Sequence, residues 1–423
     1  MILLSNLQDY KNLEPSFKNV LMDYLQFVIK NVPFYSKTLK QKDIEQISTE
    51  EFFHLPITYD QDLLENPLSF IPRNTKIVQL SSSGGTYDKR KIIFRTNGDI
   101  RRSIKTGVKM FLCGGLKSKD RIAILQPFDL WNIGHLALMI FRQIGVLSVP
   151  MGLSLSDKGI LDFLKFIKCN VIYSTPSKAS VLAELSKKRN QKLKIEKIFC
   201  AGEPILAIYR DTIKGIWGSE IYGIYGSEET DGIGAECEYH CGYHIFDDDL
   251  IIEILNPNTL MPANDNKGAL VITKFNYKGT VLIRYLLGDL VEITTKTCQC
   301  GSKIPRIFPR GRVKEVIWLY DGRKITLSAF ENTLEKVLGY VPEYQILVEN
   351  NQKGSALLIK LKIKSDKVLR EKLTKIFSRI SQDLEEGINK GEIELSFQLD
   401  EKFTFELTDR GKIPKIIYRK INE

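Results

Sequence analysis

The chain has 423 residues, more than one ordinary domain holds, and its composition is that of a globular protein with enough apolar residues for a sizeable core. Its net charge is +10, but Lys and Arg are spread along the whole chain and no nucleic-acid-binding signature accompanies them. No apolar run approaches the roughly 20 residues of a membrane-spanning helix, and the first residues do not form a secretory signal. We therefore expect a cytoplasmic protein with no nucleic-acid and no membrane partner.

The predicted elements change in character along the chain. Residues 14–65 indicate helices, whereas 76–236 indicate strands alternating with helices, typical of βαβ units around a largely parallel sheet. A more purely β region follows, with Val281–Tyr285 as one of its strands, and then a compact α+β region with one long helix over Val368–Asn389. The pattern predicts an α/β fold with a large N-terminal domain, containing mixed sheets and a β-rich subdomain, and a small α+β C-terminal domain. We place the domains at 1–313 (helical start 1–75, core 76–236, β-rich part 237–313) and 314–423.

A Ser/Thr/Gly-rich loop follows a predicted strand at Val78–Leu80 and runs from Ser81 to Arg90. Glycines let backbone amides approach phosphate oxygens, hydroxyls add donors, and a terminal cation balances the charge, so the loop fits a triphosphate. It lacks the G-x-x-x-x-G-K-[ST] pattern, which disfavours a P-loop protein. A solvated turn is the alternative interpretation.

Two further segments fit a nucleotide. Tyr225 offers a ring that can stack on a purine, and Glu229 follows at short range as an acid that can hold Mg²⁺. Asp289 follows a strand and can present its carboxylate to ribose hydroxyls. Arg312 at the predicted domain boundary and Lys412 near the C-terminus lie in basic, glycine-containing loops. Taken singly, each segment also fits an ordinary surface loop.

In this order and spacing the segments resemble the adenylate-forming superfamily of acyl-CoA synthetases, most closely its phenylacetate–CoA ligase branch. Ser82–Thr86 stands where the family has its S-S-G-T-T-G phosphate loop, Tyr225–Glu229 matches Y-G-x-T-E, and Arg284–Asp289 matches R-Y-x-T-G-D. Gly311–Lys314 matches the G-R-x-[DK] hinge, and Ala201–Pro204 is similar to the G-x-E-P segment beside the adenine. The resemblance covers nearly the whole chain.

The resemblance implies an AMP-forming acid–thiol ligase. Such an enzyme activates a carboxylic acid, here an aryl or related acid, with Mg²⁺ and ATP, releases pyrophosphate, and then forms a thioester with coenzyme A. Lys412 and Glu229 would be catalytic, with Lys415 as a rival for Lys412, and Lys314 would be the hinge of a mobile C-terminal lid. The implied ATP-binding residues are Ser82, Ser83, Gly84, Thr86, Arg90, Ala201, Gly202, Glu203, Tyr225, Gly226, Asp289 and Arg312.

The cysteines number seven, and an odd count without a secretion signal argues against a disulfide framework. Three thiolates and one imidazole make a tetrahedral set for a structural Zn²⁺, and the same branch carries a similar E-C … H … C-x-C-G pattern. The predicted ligands are Cys237, His244, Cys298 and Cys300. Cys241 or His240 could replace one of them, and reduced cysteines without metal are the alternative.

Several questions stay open at the level of sequence. Trp131 and His135 stand where the family builds its acyl pocket, although a lone His on a helix is more often structural. Tyr87 replaces the last glycine of the phosphate loop, which leaves a non-catalytic nucleotide- or acyl-binding descendant as an alternative. A carrier-protein thiol or an amine could accept the acyl group instead of coenzyme A. A homodimer is an expectation from the family alone.

Overall fold

The computed structural model describes residues 2–4, 15–39, 52, 54–83, 90–257, 259–263, 266–312, 316–319, 324–351, 354–364, 366–380, 382–406 and 415–419. The chain forms two compact units, Met1–Pro309 and Arg310–Glu423, each with a hydrophobic core of its own. The predicted mixed α/β class is confirmed. Within the described part of the chain, no helix combines the length and apolar character needed to cross a bilayer.

Helices of the first unit begin and end at residues suited to those positions. Thr96, Ser156 and Thr175 each accept a backbone hydrogen bond as N-cap, and Gly145 and Gly218 end two helices in the left-handed conformation. The described helices are α1 (Pro15–Asn31), α2 (Pro33–Thr38), α3 (Asp60–Glu65), α4 (Asn97–Cys113), α5 (Asn132–Ile144), α6 (Asp157–Ile167), α7 (Pro176–Lys188) and α8 (Ala207–Trp217), with a 3₁₀ helix at Pro67–Phe70.

One mixed sheet has twelve strands. Its strands are β1 (Ile2–Leu4), β4 (Arg121–Ile124), β5 (Leu147–Pro150), β6 (Val171–Ser174), β7 (Lys197–Cys200), β8 (Glu220–Ser227), β9 (Asp231–Glu236), β10 (Tyr243–Ile245), β11 (Leu250–Leu255), β12 (Lys267–Lys274), β13 (Tyr285–Thr294) and β14 (Arg306–Arg312). Their order across the sheet is β1-β11-β12-β13-β14-β10-β9-β8-β7-β6-β4-β5. A separate hairpin pairs β2 (Gln79–Ser82) with β3 (Ile92–Arg95).

The half of the sheet from β8 to β5 is parallel, and its strands alternate along the chain with α5 to α8. Side chains alternate between two apolar clusters: Ile172 joins a cluster with Leu161 and Leu182, whereas its neighbour Tyr173 joins one with Phe141. Both faces are therefore covered, as parallel sheets require. Ligands of such sheets bind beyond the carboxyl ends of the strands, which is where the chain leaves β7.

The strand predicted at Val281–Tyr285 is wrong, because β13 begins only at Tyr285. Arg284 adopts a left-handed conformation, with φ 44°. Its buried guanidinium binds the Glu253 carboxylate, with Nε 3.0 Å from Oε1 and 3.1 Å from Oε2. Thr58 N donates to Arg284 O at 3.0 Å, so an extended segment before α3 contacts this turn. Apolar composition alone does not separate such a buried turn from a strand.

The second unit packs helices against a sheet of β19-β18-β17-β20. Its elements are β15 (Val316–Trp318), β16 (Lys324–Thr326), α9 (Leu327–Leu338), β17 (Tyr344–Asn351), β18 (Gly354–Leu361), α10 (Lys367–Phe377), α11 (Gln382–Asn389), β19 (Ile393–Leu399) and β20 (Ile416–Arg419). The single helix predicted over Val368–Asn389 is wrong. The chain leaves the helix after Phe377, where Arg379 N and Ile380 N bond to carbonyl oxygens three residues back.

Candidate active site

The β2–β3 hairpin holds the two ends of the Ser/Thr/Gly-rich loop together. Ser83 N donates to Lys91 O at 3.0 Å, and Lys91 N donates to Ser83 Oγ at 3.2 Å. Ser82 precedes this closure on β2 and is buried. The predicted phosphate-binding residues Ser82 and Ser83 thus lie at the first end of the loop, whereas Gly84 and Thr86 lie outside the described residues.

A second hairpin, between β8 and β9, carries the Tyr225–Glu229 segment. A Cβ on Gly226 would lie 2.0 Å from the carbonyl oxygen of Asp231, so the two strands approach too closely for any other residue. Glu229 lies in the turn between these strands and is 3% exposed.

The Glu229 carboxylate forms an ion pair with the Lys91 ammonium, which also lies 3.1 Å from Asp60 Oδ1. Tyr285 Oη donates to Glu229 Oε1 at 3.2 Å and also contacts the Asp60 carboxylate. Burial would raise the pKa of Glu229, but the Lys91 charge outweighs burial and lowers it. Burial would likewise lower the pKa of Lys91, and its two carboxylate neighbours raise it instead. Both groups are therefore charged at neutral pH.

Two predicted nucleotide-binding residues touch directly. Tyr225 Oη donates to Asp289 Oδ2 at 2.6 Å, although one residue lies on β8 and the other on β13. The Tyr225 ring packs beside Tyr243, with centroids 5.7 Å apart. The contact brings the side chains predicted for adenine and for ribose to one place.

The segment predicted to lie beside the adenine leaves the carboxyl end of β7. Ala201 is buried, and Gly202 has a φ of 88°, a left-handed conformation that glycine adopts without strain. The Glu203 carboxylate accepts a hydrogen bond from Ser177 N at 3.3 Å, at the first turn of α7. The segment is thus tied to a helix N-terminus at the edge where parallel sheets bind ligands.

A buried polar network holds the turn that carries Glu229. Arg95 Nη2 donates to Asp231 Oδ1 at 2.7 Å and to Glu228 O at 2.8 Å. Asn132 Nδ2 donates to Asp231 Oδ1 at 2.9 Å, and Asn132 N donates to Glu228 Oε1 at 3.3 Å. Burial would raise the pKa of Asp231, but Arg95 outweighs burial and lowers it to about 2. The ionised pair fixes the backbone on both sides of Glu229.

The two residues predicted for the acyl pocket lie at the start of α5. Trp131 immediately precedes the helix and is 38% exposed. His135 is exposed, and its Nε2 lies 2.8 Å from the carbonyl oxygen of Phe128, whose ring packs edge-on against the imidazole. The His135 ring is therefore held by the chain that leads into its own helix.

The predicted metal ligands converge from β9, β10 and the segment before β14. Their ligand atoms all lie within 4.8 Å of one another. Cys237 Sγ lies 3.8 Å from Cys298 Sγ, and His244 Nε2 lies 3.6 Å from Cys300 Sγ. Burial would raise the pKa of Cys298, but the Cys300 N–H and the neighbouring thiols lower it to about 7. A nitrogen and three sulfurs at this spacing suit the tetrahedral preference of Zn²⁺.

The two alternative ligands also contact charged side chains outside the predicted set. Cys241 Sγ lies 3.2 Å from Cys298 Sγ, but Arg306 Nη1 donates to Cys241 Sγ at 3.0 Å. His240 lies between two carboxylates, with Nδ1 3.5 Å from Glu236 Oε2 and Nε2 3.6 Å from Glu220 Oε2. The geometry therefore favours the predicted set over either substitution.

Comparison with known proteins finds curated relatives along most of the chain. A curated phenylacetate–coenzyme A ligase of Thermus thermophilus is 26% identical over 337 residues, 76% of this chain and 75% of the relative. One of Escherichia coli K12 is 25% identical over 356 residues, 80% of each chain. The chain is similar to phenylacetate–coenzyme A ligases over at least three quarters of its length. No protein-family model matches the chain.

A solved structure shares the fold of this chain. An open conformation of 2-hydroxyisobutyryl-CoA ligase, crystallised with 2-HIB-AMP and CoA, has a TM-score of 0.75 to this chain. The two are 19% identical, and the match covers 95% of this chain and 90% of that one.

The remaining motif residues of this phenylacetate–CoA ligase-like chain lie in the second unit. Arg312 is exposed at the end of β14. Lys415 Nζ forms an ion pair with Glu331 Oε1 at 2.5 Å. Lys314 and Lys412 lie outside the described residues.

The sequence analysis did not identify several residues of the candidate site. Arg90 was the cation predicted to end the phosphate loop, and it is half-buried, but Lys91 forms the ion pair with Glu229. The three basic residues at 89–91 predicted a cation at this place, but the sequence did not indicate which of them it is. Tyr285 lay inside the matched R-Y motif and had no assigned role, whereas Asp60 had no signal in the sequence at all.

Proposed function

We propose that this protein activates a carboxylic acid with ATP to an acyl-adenylate, releases pyrophosphate, and transfers the acyl group to the thiol of coenzyme A. The observation that carries the proposal is the Tyr225–Asp289 contact, and the charged Lys91–Glu229 pair supports it. The contact unites motif residues that are far apart in sequence. The curated relatives are phenylacetate–coenzyme A ligases, which supports an aryl or related acid as substrate.

Each ATP group has a proposed partner in the chain. The hydroxyls and amides of Ser82, Ser83, Gly84 and Thr86 would hold the β- and γ-phosphates, with Arg90 and Lys91 supplying positive charge. The adenine-binding set would be Ala201, Gly202, Glu203, Tyr225 and Gly226. Asp289 and Arg312 would bind the ribose hydroxyls.

Catalysis would rest on positioning and charge neutralisation. Glu229 would hold Mg²⁺, which would supply positive charge to neutralise the phosphates. Because Lys91 pairs with both Glu229 and Asp60, it can keep Asp60 as a partner when Glu229 turns to the metal. Lys412 would steady the carboxylate and the α-phosphate, and Lys314 would be the hinge of a mobile C-terminal lid. The ion pair of Lys415 with Glu331 supports Lys412 over Lys415.

Zinc would be structural. The set Cys237, His244, Cys298 and Cys300 would bind one Zn²⁺ and tie β9 and β10 to the segment before β14. A reducing compartment keeps such thiols free, so we place the protein in the cytoplasm. A homodimer remains an expectation that size-exclusion chromatography with light scattering tests.

ATP–pyrophosphate exchange across a panel of aryl, alkyl and amino acids, without coenzyme A, tests the adenylation step. Exchange with one class is expected, and it names the substrate class. Silence across the panel, from folded and metal-loaded protein, would contradict catalysis and favour a nucleotide-binding descendant. Addition of coenzyme A or a carrier protein to the positive reaction then identifies the acceptor.

The lysine assignment has its own test. Lys412→Ala should abolish exchange but spare thioester formation from a supplied acyl-adenylate, because this lysine would act only in the first step. Lys415→Ala is the matched control and should retain exchange. Loss of both half-reactions in a folded Lys412→Ala variant would contradict the role.

A further inference from the structure

Apart from the candidate active site, the first unit contains a pocket where four chain segments meet. Its volume is about 500 Å³, within the range of roughly 300–1,000 Å³ typical of small-molecule sites. The basic residues lining it are Arg73, Lys76, Arg102 and Lys278. They come from the chain after the 3₁₀ helix, from α4 and from the loop after β12. Phe27 of α1 adds an aromatic ring to the wall. None of the residues proposed to bind ATP lines this pocket.

Among the described residues, the positive charge of this pocket has few carboxylate partners. Arg73, Lys76 and Lys278 form no ion pair within the described ranges. Arg102 Nε lies 3.3 Å from Asp249 Oδ2 and is the one lining cation with a carboxylate partner in that part of the chain. Cations gathered around a low-dielectric concavity reinforce one another's potential and raise the local concentration of anions.

The acidic lining residue, Asp99, does not offset this charge toward a ligand. Its carboxylate is 1% exposed and accepts hydrogen bonds from Thr96 N and Thr96 Oγ1, both at 2.8 Å. It also accepts from Lys278 N at 3.0 Å and Gly279 N at 2.9 Å. The acceptor capacity of Asp99 is used by three backbone amides and the Thr96 hydroxyl. The same bonds hold the backbone of the Lys278 loop against the start of α4, so this lysine extends from a fixed backbone position.

We propose that this pocket binds an anionic ligand that carries two or more phosphate groups. Arginine matches phosphate oxygens with a planar fork of donors, and lysine adds a mobile point charge, so the mixture suits polyphosphates. The volume exceeds what a single small ion fills, since a water occupies about 30 Å³ of liquid volume. The proposal does not depend on the adenylation reaction.

Calorimetric titration of the full chain with sodium tripolyphosphate at low salt tests this site. Arg73→Ala/Lys278→Ala should weaken binding at least tenfold, and neither side chain makes a hydrogen bond on which the described fold depends. Lys187→Ala/Lys188→Ala, which removes two lysines at the exposed end of α7, is the matched control and should bind like wild type. Unchanged binding in the pocket variant, or equal loss in both variants, would overturn the proposal.

Two further titrations, with coenzyme A and with dephospho-coenzyme A, identify the kind of molecule that supplies the phosphates. Coenzyme A and dephospho-coenzyme A differ by one phosphate group. A larger loss of affinity for coenzyme A in the pocket variant assigns the site to a phosphorylated cosubstrate. Equal affinities with a retained effect on tripolyphosphate assign it to a free polyphosphate. ATP–pyrophosphate exchange should stay within twofold of wild type in the pocket variant, so failure of this proposal is separable from failure of the adenylation proposal.

Discussion

Lys91 and Glu229 meet as an ion pair from two different hairpins, one of which carries the Ser/Thr/Gly-rich loop and the other the Tyr225–Glu229 motif. Glu229 is nearly inaccessible, and Lys91 is the cation that keeps its carboxylate ionised there. The pair therefore couples the proposed phosphate loop to the proposed metal ligand.

Replacing Lys91 by Met should reduce ATP–pyrophosphate exchange by at least a hundredfold. Without the ammonium, burial raises the pKa of Glu229 and its carboxylate loses the charge that a metal ligand needs. Lys91→Arg should recover part of the activity, because it restores the charge. Lys187→Met, at an exposed position of α7, is the control. Full exchange in folded Lys91→Met would show that the pair has no part in ATP binding.

Purified protein should contain about one zinc per chain by elemental analysis. Cys298→Ser should lose the metal and lower the melting temperature, because three ligands no longer close the tetrahedron. Cys241→Ser should keep the metal, since Arg306 already occupies that thiol. Absence of zinc from protein never exposed to chelator, or equal loss in both variants, would contradict the proposed ligand set.

Arg284→Met should lower the free energy of unfolding by about 3–5 kcal/mol, because it removes the cation that pairs with the fully buried Glu253 carboxylate. Adding Glu253→Gln to this variant should recover much of the loss, and denaturant unfolding of both variants measures it. Lys267→Ala removes an exposed pair with Glu292 at 3.9 Å and should cost about 0–1 kcal/mol. If the double variant lost the sum of the unfolding free energies lost by Arg284→Met and Glu253→Gln singly, the two charges would not interact.

Asp247→Asn should stabilise the protein at neutral pH. Burial raises the pKa of Asp247 from 3.8 to about 6, so between these values the folded state binds more protons than the unfolded state. The free energy of unfolding therefore falls as the pH rises through this window, by roughly 3 kcal/mol in total. The variant removes this decline. Thermal unfolding of wild type and variant from pH 4 to pH 7.5 measures the decline. Asp248→Asn, at an exposed neighbouring position, is the control. The same decline in Asp247→Asn would assign it to another group.

Local chain properties were enough to predict much of this molecule. Strands alternating with helices predicted the α/β class, because hydrophobic periodicity is set by neighbouring residues alone. The spacing of Cys237, His244, Cys298 and Cys300 predicted their convergence, since a metal set restricts residue type as well as position. The order of motifs indicated which segments belong to one site.

Tertiary structure decided the rest, because contacts between distant segments depend on how the elements pack. Packing selected Lys91 as the partner of Glu229 and brought Asp60 to the same group. It turned the apolar run before Tyr285 into a buried turn around the Arg284–Glu253 pair. Packing also placed Arg306 where it donates a hydrogen bond to Cys241, a thiol that the sequence left as an alternative metal ligand. Interactions between charged and polar groups depend on their distance in space, so the sequence alone does not show which nearby groups pair.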